Sequence, residues 1–396
     1  MTPTTEPLVA AVRADGYVSG YTHGFYRYPA RFSPEFARRL IEQYTEPGDI
    51  VLDPFVGGGT TAVEALASGR RVIGLDLNPL AHFVTLVKTT PLSGADHDAL
   101  RRWATLPMEP NVRSTEADLT DPRLRNLPST LLNTLASFTA SAATLRPSRR
   151  RRFARCVLLR VGQWALESRQ DLPSTEDVRA WVVTSTDAML AGLSEFLNAA
   201  AAQGVSPAQV RRNRRLVNTT TALGYWLRGA RRTGIPRLVL TSPPYPGVHV
   251  LYHRWQVLGR RETPAPFWLT DLKDGRGESF YRFGSRTPTG LRNYFTTLGK
   301  ALSVVRQVIA PDTVVAQLIA FSDVEQQLPR YLAEMDAAGY QPLADTSLPE
   351  QEALWRRVPH RRWYMRIKDP RGEQAAANEV LLLHRLADGR APVAAE

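Results

Sequence analysis

One cysteine, Cys156, is all that the 396 residues contain. That excludes an intrachain disulfide and any Cys-based zinc cluster, and it fits a reducing compartment. Lysine is nearly as scarce, confined to Lys88, Lys273, Lys300 and Lys368. No apolar run approaches the ~20 residues of a membrane span, and stretches such as 313–321 are strand-sized. Residues 1–10 lack the basic start and apolar stretch of a secretion signal. Secreted and membrane classes are set aside on these grounds.

What is present is arginine. The chain carries 50 basic against 38 acidic residues, a formal charge of +12, and nearly all the basic ones are Arg. The planar guanidinium fork matches phosphates and guanine edges, so a nucleic-acid partner is one reading. Genome composition with much solvated surface is the other. Hydrophobic residues at 43% and charged residues at 22% are enough for a packed core.

Residues 1–22 are Pro/Thr-rich and aperiodic, an N-terminal arm. Ser33-Pro34-Glu35 reads as a helix cap, a proline in the first turn and an acid beside it, with Pro47-Gly48 as the stop. Strands are expected at 49–53 and 71–75, with helices at 60–68 and 79–87. This β-α-β order implies a parallel sheet with right-handed crossovers. A weak strand is expected at 111–115. From 124 to 232 the pattern is helical, with apolar residues at spacings of three and four, Arg149–Arg152 as a basic run between helices, and Arg211, Arg212, Arg214 and Arg215 on a basic helix. Strand character returns at 237–240, 313–320 and 379–384. The expected organisation is an α/β domain of residues 23–118 and 236–390, split by a helical insertion at 119–235.

Two motifs carry chemistry. Asp53-Pro-Phe-Val-Gly-Gly-Gly-Thr-Thr61 ends one strand and opens a helix, where ligands of open α/β sheets bind. Its glycines permit a tight turn and close approach of a ligand to the backbone. Asp76 ends the next strand, placed to accept ribose hydroxyls. No Gly-Lys-Ser/Thr follows, so this is not a phosphate-binding P-loop, and the Gly-x-Gly-x-x-Gly spacing of a dinucleotide site is missing too. The second motif, Thr241-Ser-Pro-Pro-Tyr245, leaves a strand through two prolines that cannot continue a ladder. It aims carbonyls, a short hydroxyl and an aromatic ring at one point. A proline-rich strand exit is the plain alternative.

Together these motifs resemble the S-adenosylmethionine-dependent DNA amino-methyltransferases. The Ser-Pro-Pro-Tyr form is similar to the N4-cytosine group, whereas Asp-Pro-Pro-Tyr is commoner among N6-adenine enzymes. Residues 23–32, His-Gly-Phe-Tyr-Arg-Tyr-Pro-Ala-Arg-Phe, resemble the segment that closes over the methionine part of the cofactor in that family. The resemblance covers roughly 20–90 and 236–320 and leaves the insertion outside. Gly58 departs from the Ser often found there, a change expected to be harmless.

The resemblance implies a Rossmann-like, mostly parallel seven-stranded sheet with a large all-helical insertion. It implies S-adenosyl-L-methionine as cofactor, held by Tyr28, Pro29, Ala30, Asp53, Phe55, Gly57, Gly59, Thr60, Asp76 and Thr241, with Asp118 as a candidate for the adenine amine. Ser242, Pro243, Pro244 and Tyr245 would be catalytic: Ser242 and the Pro243 carbonyl orient the exocyclic amine, and Tyr245 stacks on a base drawn out of the duplex. DNA is the implied partner, with cytosine N4 as the leading target, adenine N6 or an RNA base as the same-chemistry alternative, and a non-catalytic nucleic-acid-binding subunit as the other. A restriction or defence partner is compatible, and a cytoplasmic, nucleoid-associated location is expected.

Nucleic-acid contacts are expected from Arg211, Arg212, Arg214 and Arg215 in the insertion, and from His253, Arg254, Arg260 and Arg261 in an aromatic-basic stretch. Phe280, Tyr281 and Arg282 repeat that theme, as do Arg361, Arg362, Trp363 and Tyr364. His249 and His253 stand four apart, but without the Glu of a zinc-protease helix no metal is assigned. Trp255, at helical spacing from Leu251 and Leu258, reads first as core.

Overall fold

The computed structural model describes residues 18–28, 31–106, 121–167, 169, 171–246, 254–258, 261–273, 283–285, 287–343, 354–358 and 377–387. Its strands are β1 (Ile50–Asp53), β2 (Arg71–Asp76), β3 (Arg214–Asn218), β4 (Leu238–Thr241), a separate pair β5 (Trp255–Val257) and β6 (Arg261–Thr263), β7 (Val314–Ala320), β8 (Tyr340–Pro342), β9 (Leu354–Val358) and β10 (Ala377–Leu386). The main sheet runs β3-β2-β1-β4-β7-β10-β8. The first five strands are mutually parallel and β10 is antiparallel to its neighbours. β9 pairs Ala377–Leu381 of β10, and β8 pairs its far end on the same edge. The sheet is therefore seven positions wide, mostly parallel, as expected.

The helices are α1 (Pro34–Tyr44), α2 (Thr60–Ala67), α3 (Pro79–Lys88), α4 (Gly94–Thr105), α5 (Ser129–Thr144), α6 (Ser148–Leu166), α7 (Thr175–Ala202), α8 (Pro207–Arg212), α9 (Leu227–Thr233), α10 (Ala265–Thr270), α11 (Pro288–Arg306) and α12 (Val324–Ala337). Strand residues alternate between two cores. Val51, Val72 and Leu238 face one side with α1 to α8 and α10, whereas Ile50, Leu52, Ile73 and Val239 face the other with α9, α11 and α12. Among the described residues no helix is long and apolar enough to cross a membrane.

The helical block does not stand apart from the sheet. Phe153, Val157, Val161, Leu190 and Phe196 belong to the same continuous core as Val51 and Leu238. Trp255 is buried in that core, where its indole packs against Gly162 of α6; a Cβ there would lie 2.8 Å from the ring. Arg149 and Arg150 stand in the first turn of α6 rather than between helices. Their Nε atoms lie 2.7 and 2.6 Å from the buried Asp96 carboxylate, which also closes the capping box of α4. Burial alone would raise the pKa of Asp96, yet these hydrogen bonds hold it well below the usual carboxylate range.

Two expectations about the insertion need correction. The strand beside β2 is β3, inside the span expected to be all helical; the weak strand expected at 111–115 lies outside the described residues. The basic run straddles a boundary. Arg211 and Arg212 end α8 and are exposed, Asn213 caps it, and Arg214 and Arg215 are in the sheet. The reason is visible at Arg214. Its guanidinium donates to the Leu86 carbonyl (3.0 Å), Thr89 Oγ1 (2.7 Å) and Thr90 Oγ1 (3.1 Å), closing the end of α3 onto the sheet edge. Burial lowers its pKa to about 10. Arg215 lies over Gly229 of α9, where an added Cβ would make its guanidinium shift.

Arg214→Ala is expected to cost roughly 1–3 kcal/mol, because it strands buried acceptors. Arg211→Ala and Arg212→Ala should each stay within about 0.5 kcal/mol, as exposed positions do. Urea unfolding midpoints at constant slope would check this, and equal midpoints for all three would count against the clamp.

Candidate active site

β1 and β4 are adjacent and parallel, with Leu52 opposite Val239, so both deliver their last residues to the same end of the sheet. There Thr241 Oγ1 donates to Asp53 Oδ1 at 2.6 Å, across 188 residues of sequence. Asp53 also accepts from the Phe55 amide at 3.1 Å. Thr61 Oγ1 reaches the Leu240 carbonyl at 3.4 Å, and Thr221 Oγ1 the Pro54 carbonyl at 2.6 Å. The glycine turn and the Ser-Pro-Pro-Tyr turn are thus tied at their roots.

Each turn is held by side chains behind it. Gly57 and Gly59 have φ of +47° and +81°, a region that disfavours side chains. The Gly57 amide donates to Asp76 Oδ2 at 2.9 Å and the Asn78 amide to Oδ1 at 2.8 Å. Lys88, wholly buried at the end of α3, donates to the Gly58 carbonyl at 2.6 Å, and burial lowers its pKa to about 7. On α2, Glu64 accepts from His23 Nε2 at 2.7 Å and Arg38 Nε at 2.9 Å, docking the segment at 23–28 beside the glycine turn. Tyr28 packs on Gly58 and accepts from Asn78 Nδ2 at 3.3 Å. Across the cleft, Tyr294 donates to the Pro244 carbonyl at 2.7 Å.

The result is a cleft enclosing about 820 Å³ of space, part of it open to solvent. Of the expected residues, Tyr28, Asp53, Phe55, Gly57, Thr60, Asp76, Ser242, Pro243, Pro244 and Tyr245 line it. Gly59 and Thr241 stand just behind as hinge and tie. Pro29, Ala30, Asp118, His253 and Arg260 lie outside the described residues. Arg254 is half-buried and Arg261 exposed on β6; neither lines the cleft, nor does any of Arg211, Arg212, Arg214 and Arg215.

Several cleft residues escaped the sequence reading. Thr219, Thr220 and Thr221 enter from the end of β3, which was read as helix. Phe283 also lines the cleft, its ring edge-on to Phe55 at 5.5 Å between centroids. Arg31 donates to the His23 and Tyr26 carbonyls and has no carboxylate partner among the described residues. Glu379, buried on β10, accepts from the Tyr245 hydroxyl at 2.9 Å. A lone acid heading an apolar strand was the available signal for it.

Electrostatically the cleft is marked by two acids, the buried Asp53 and the half-buried Asp76. Burial pushes the Asp53 carboxyl up to about 6, against hydrogen bonds from Thr241, Thr61 and the Phe55 amide. Burial likewise pushes Asp76 up to about 7, against the Asn78 and Gly57 amides, with Asp53 adding to the rise.

Comparison with known proteins agrees with this geometry. Residues 13–85 match the family described as DNA methylase, an N6/N4 methyltransferase family. The chain is 45% identical over 74 residues to the Type II methyltransferase M.MvaI of Kocuria varians, spanning 18% of this chain and 16% of that protein. It is 45% identical over 51 residues to the DNA adenine methyltransferase YhdJ of Escherichia coli, spanning 13% of this chain and 17% of that one. The matches thus span about a sixth of these relatives' lengths. Through this segment the chain is similar to the DNA amino-methyltransferases, and the matches do not divide the N4 from the N6 branch.

Two outcomes are expected. The raised values of Asp53 and Asp76 mean that their contribution to stability is fully present below the unfolded pKa of about 4 and is lost as pH rises through about 6 and about 7. A cationic ligand favours the ionised forms, so S-adenosylmethionine, the cofactor that the resemblance implies, would raise the melting temperature more at about pH 8 than at about pH 5.5, with about tenfold weaker affinity at the lower pH. A shift independent of pH would refute this. Gly58→Ser would place a Cβ 2.8 Å from that of Tyr28. It should cost about 1–3 kcal/mol by overpacking and weaken cofactor binding, and an unchanged unfolding midpoint and affinity would reverse that conclusion.

Proposed function

We propose that this protein is an S-adenosylmethionine-dependent DNA methyltransferase acting on an exocyclic base amine, with cytosine N4 as the target. The observation that carries this reading is the Thr241–Asp53 bond, which joins the glycine turn and the Ser-Pro-Pro-Tyr turn at one cleft. The cofactor's chemistry suits the residues present: a sulfonium and an ammonium for the acid pair, hydroxyls for Asp76, and a carboxylate for Arg31. When bound, S-adenosyl-L-methionine supplies an activated methyl group on sulfur. The glycine turn presents backbone amides, and Tyr28 and Phe32 wall the cleft against water.

An exocyclic amine is a poor nucleophile because its lone pair is delocalised into the ring. Ser242 and the Pro243 carbonyl would accept hydrogen bonds from that amine and draw its nitrogen towards tetrahedral geometry. The two prolines fix these acceptors before the substrate arrives, so catalysis rests on positioning and electrostatics. Phe55 and Phe283, with the largely buried Tyr245 beside them, offer ring surface to a base that has left the duplex, where stacking contributes about 1–3 kcal/mol against an extrusion cost of a few. Arg211 and Arg212 remain candidates for phosphate contact from the helical block, which we assign to target recognition. Arg214 is withdrawn from that role, since its donors are used internally. A cognate nuclease is the expected partner, in keeping with the Type II name of a matched relative.

Adenine N6 is the second reading, favoured by the match to a DNA adenine methyltransferase. One experiment separates them. DNA from cells producing the chain, mapped for modified bases, should carry N4-methylcytosine at one sequence context. Purified Ser242→Ala should lose about 10²–10³-fold in turnover while its cofactor affinity holds within about twofold. N6-methyladenine would select the second reading, and no transferred methyl group at all would remove both.

A further inference from the structure

The Ser-Pro-Pro-Tyr turn is wired to a strand remote from it in sequence. Ser242 Oγ donates to Tyr245 Oη at 3.1 Å, and Tyr245 Oη donates to Glu379 Oε1 at 2.9 Å. Glu379 is fully buried on β10, in register with Ala320 at the end of β7. Tyr245 is itself 5% exposed, so this chain of hydrogen bonds runs from the cleft into the core.

Its direction is set at the buried end. Tyr245 Oη is the donor to Glu379 Oε1, so the Tyr245 proton points to Glu379. The lone pairs of the phenol oxygen then face Ser242, whose proton points to Tyr245. Ser242 is left with lone pairs, and no proton, towards the cleft. From this geometry we infer that Glu379 is a positioning residue that fixes Ser242 as a hydrogen-bond acceptor and so sets the substrate class. An amine presents N–H to those lone pairs and is accepted. A keto oxygen presents lone pairs to lone pairs and is rejected, leaving a buried polar group unpaired. The site therefore admits cytosine or adenine and excludes the keto edge of thymine or guanine. This inference rests on the proposed amine transfer and goes beyond it in naming what aligns the acceptor.

Tyr245→Phe removes only the hydroxyl and keeps the ring, and Glu379→Gln puts an amide at the buried end, whose N–H can face the Tyr245 oxygen and reverse the chain. Steady-state kcat and both KM values are measured for each variant and for the double variant. Each single variant is expected to lower kcat about ten- to a hundredfold, with KM for S-adenosylmethionine within about twofold. The double variant should be no worse than the poorer single one, because both cut the same chain. A purely structural role would instead lower the melting temperature and leave kcat per folded molecule unchanged. If Glu379→Gln fails to fold, Tyr245→Phe carries the test alone. Wild-type turnover with unchanged kcat in Tyr245→Phe would overturn the inference by itself. Absence of wild-type transfer would remove the proposed function and this inference with it.

Discussion

A single hydroxyl-to-carboxylate hydrogen bond, Thr241 to Asp53, is what makes one site out of two distant stretches of chain. It is available because β1 and β4 are neighbours in register, so their ends arrive together. The bond is buried, where a charge-assisted hydrogen bond is strengthened and a broken one leaves an unsatisfied carboxyl. Every other contact at the cleft refines a position that this pairing has already set: Thr61 and Thr221 brace the same two turns, and Tyr294 holds the second proline.

Around that tie the protein uses buried charge as scaffolding. Lys88 fastens the glycine turn from below, and Glu64 gathers His23 and Arg38 so that the segment over the turn is docked. Asp96 binds two arginines of α6, and Arg214 closes α3 onto the sheet edge. Part of the arginine excess is thus internal clamping. Guanidinium suits that work, because its fork satisfies several carbonyls and hydroxyls at once while staying charged. The acids of the cleft differ in kind: among the described residues Asp53 and Asp76 accept from amides and hydroxyls and have no cationic side chain paired to them.

Much of the fold was legible because its signals were local. Ser33 caps α1 through the Phe36 amide as its spacing implied, and the apolar runs of β1, β2, β4 and β7 are strands. The misreading at Arg214 and Arg215 has a physical cause. Charged residues disfavour a strand assignment, and only the acceptors offered by Leu86, Thr89 and Thr90 make that strand worth forming. The need for glycine at position 58 likewise comes from a distant residue, Tyr28, thirty positions away. Helix α4 went unremarked although its Ser93–Asp96 capping box is a local signal.

The amino-acid sequence by itself determined the β-α-β frame, the glycine turn, the rigid double-proline turn and the residue types they present, because caps, periodicity and backbone restriction act between near neighbours. Only the tertiary structure decided that the two turns share a cleft, that the helical block fuses with the sheet's core, and that Glu379 stands behind Tyr245. Those facts depend on strand order and register across hundreds of residues, where pairing is fixed by the whole sheet rather than by any local stretch.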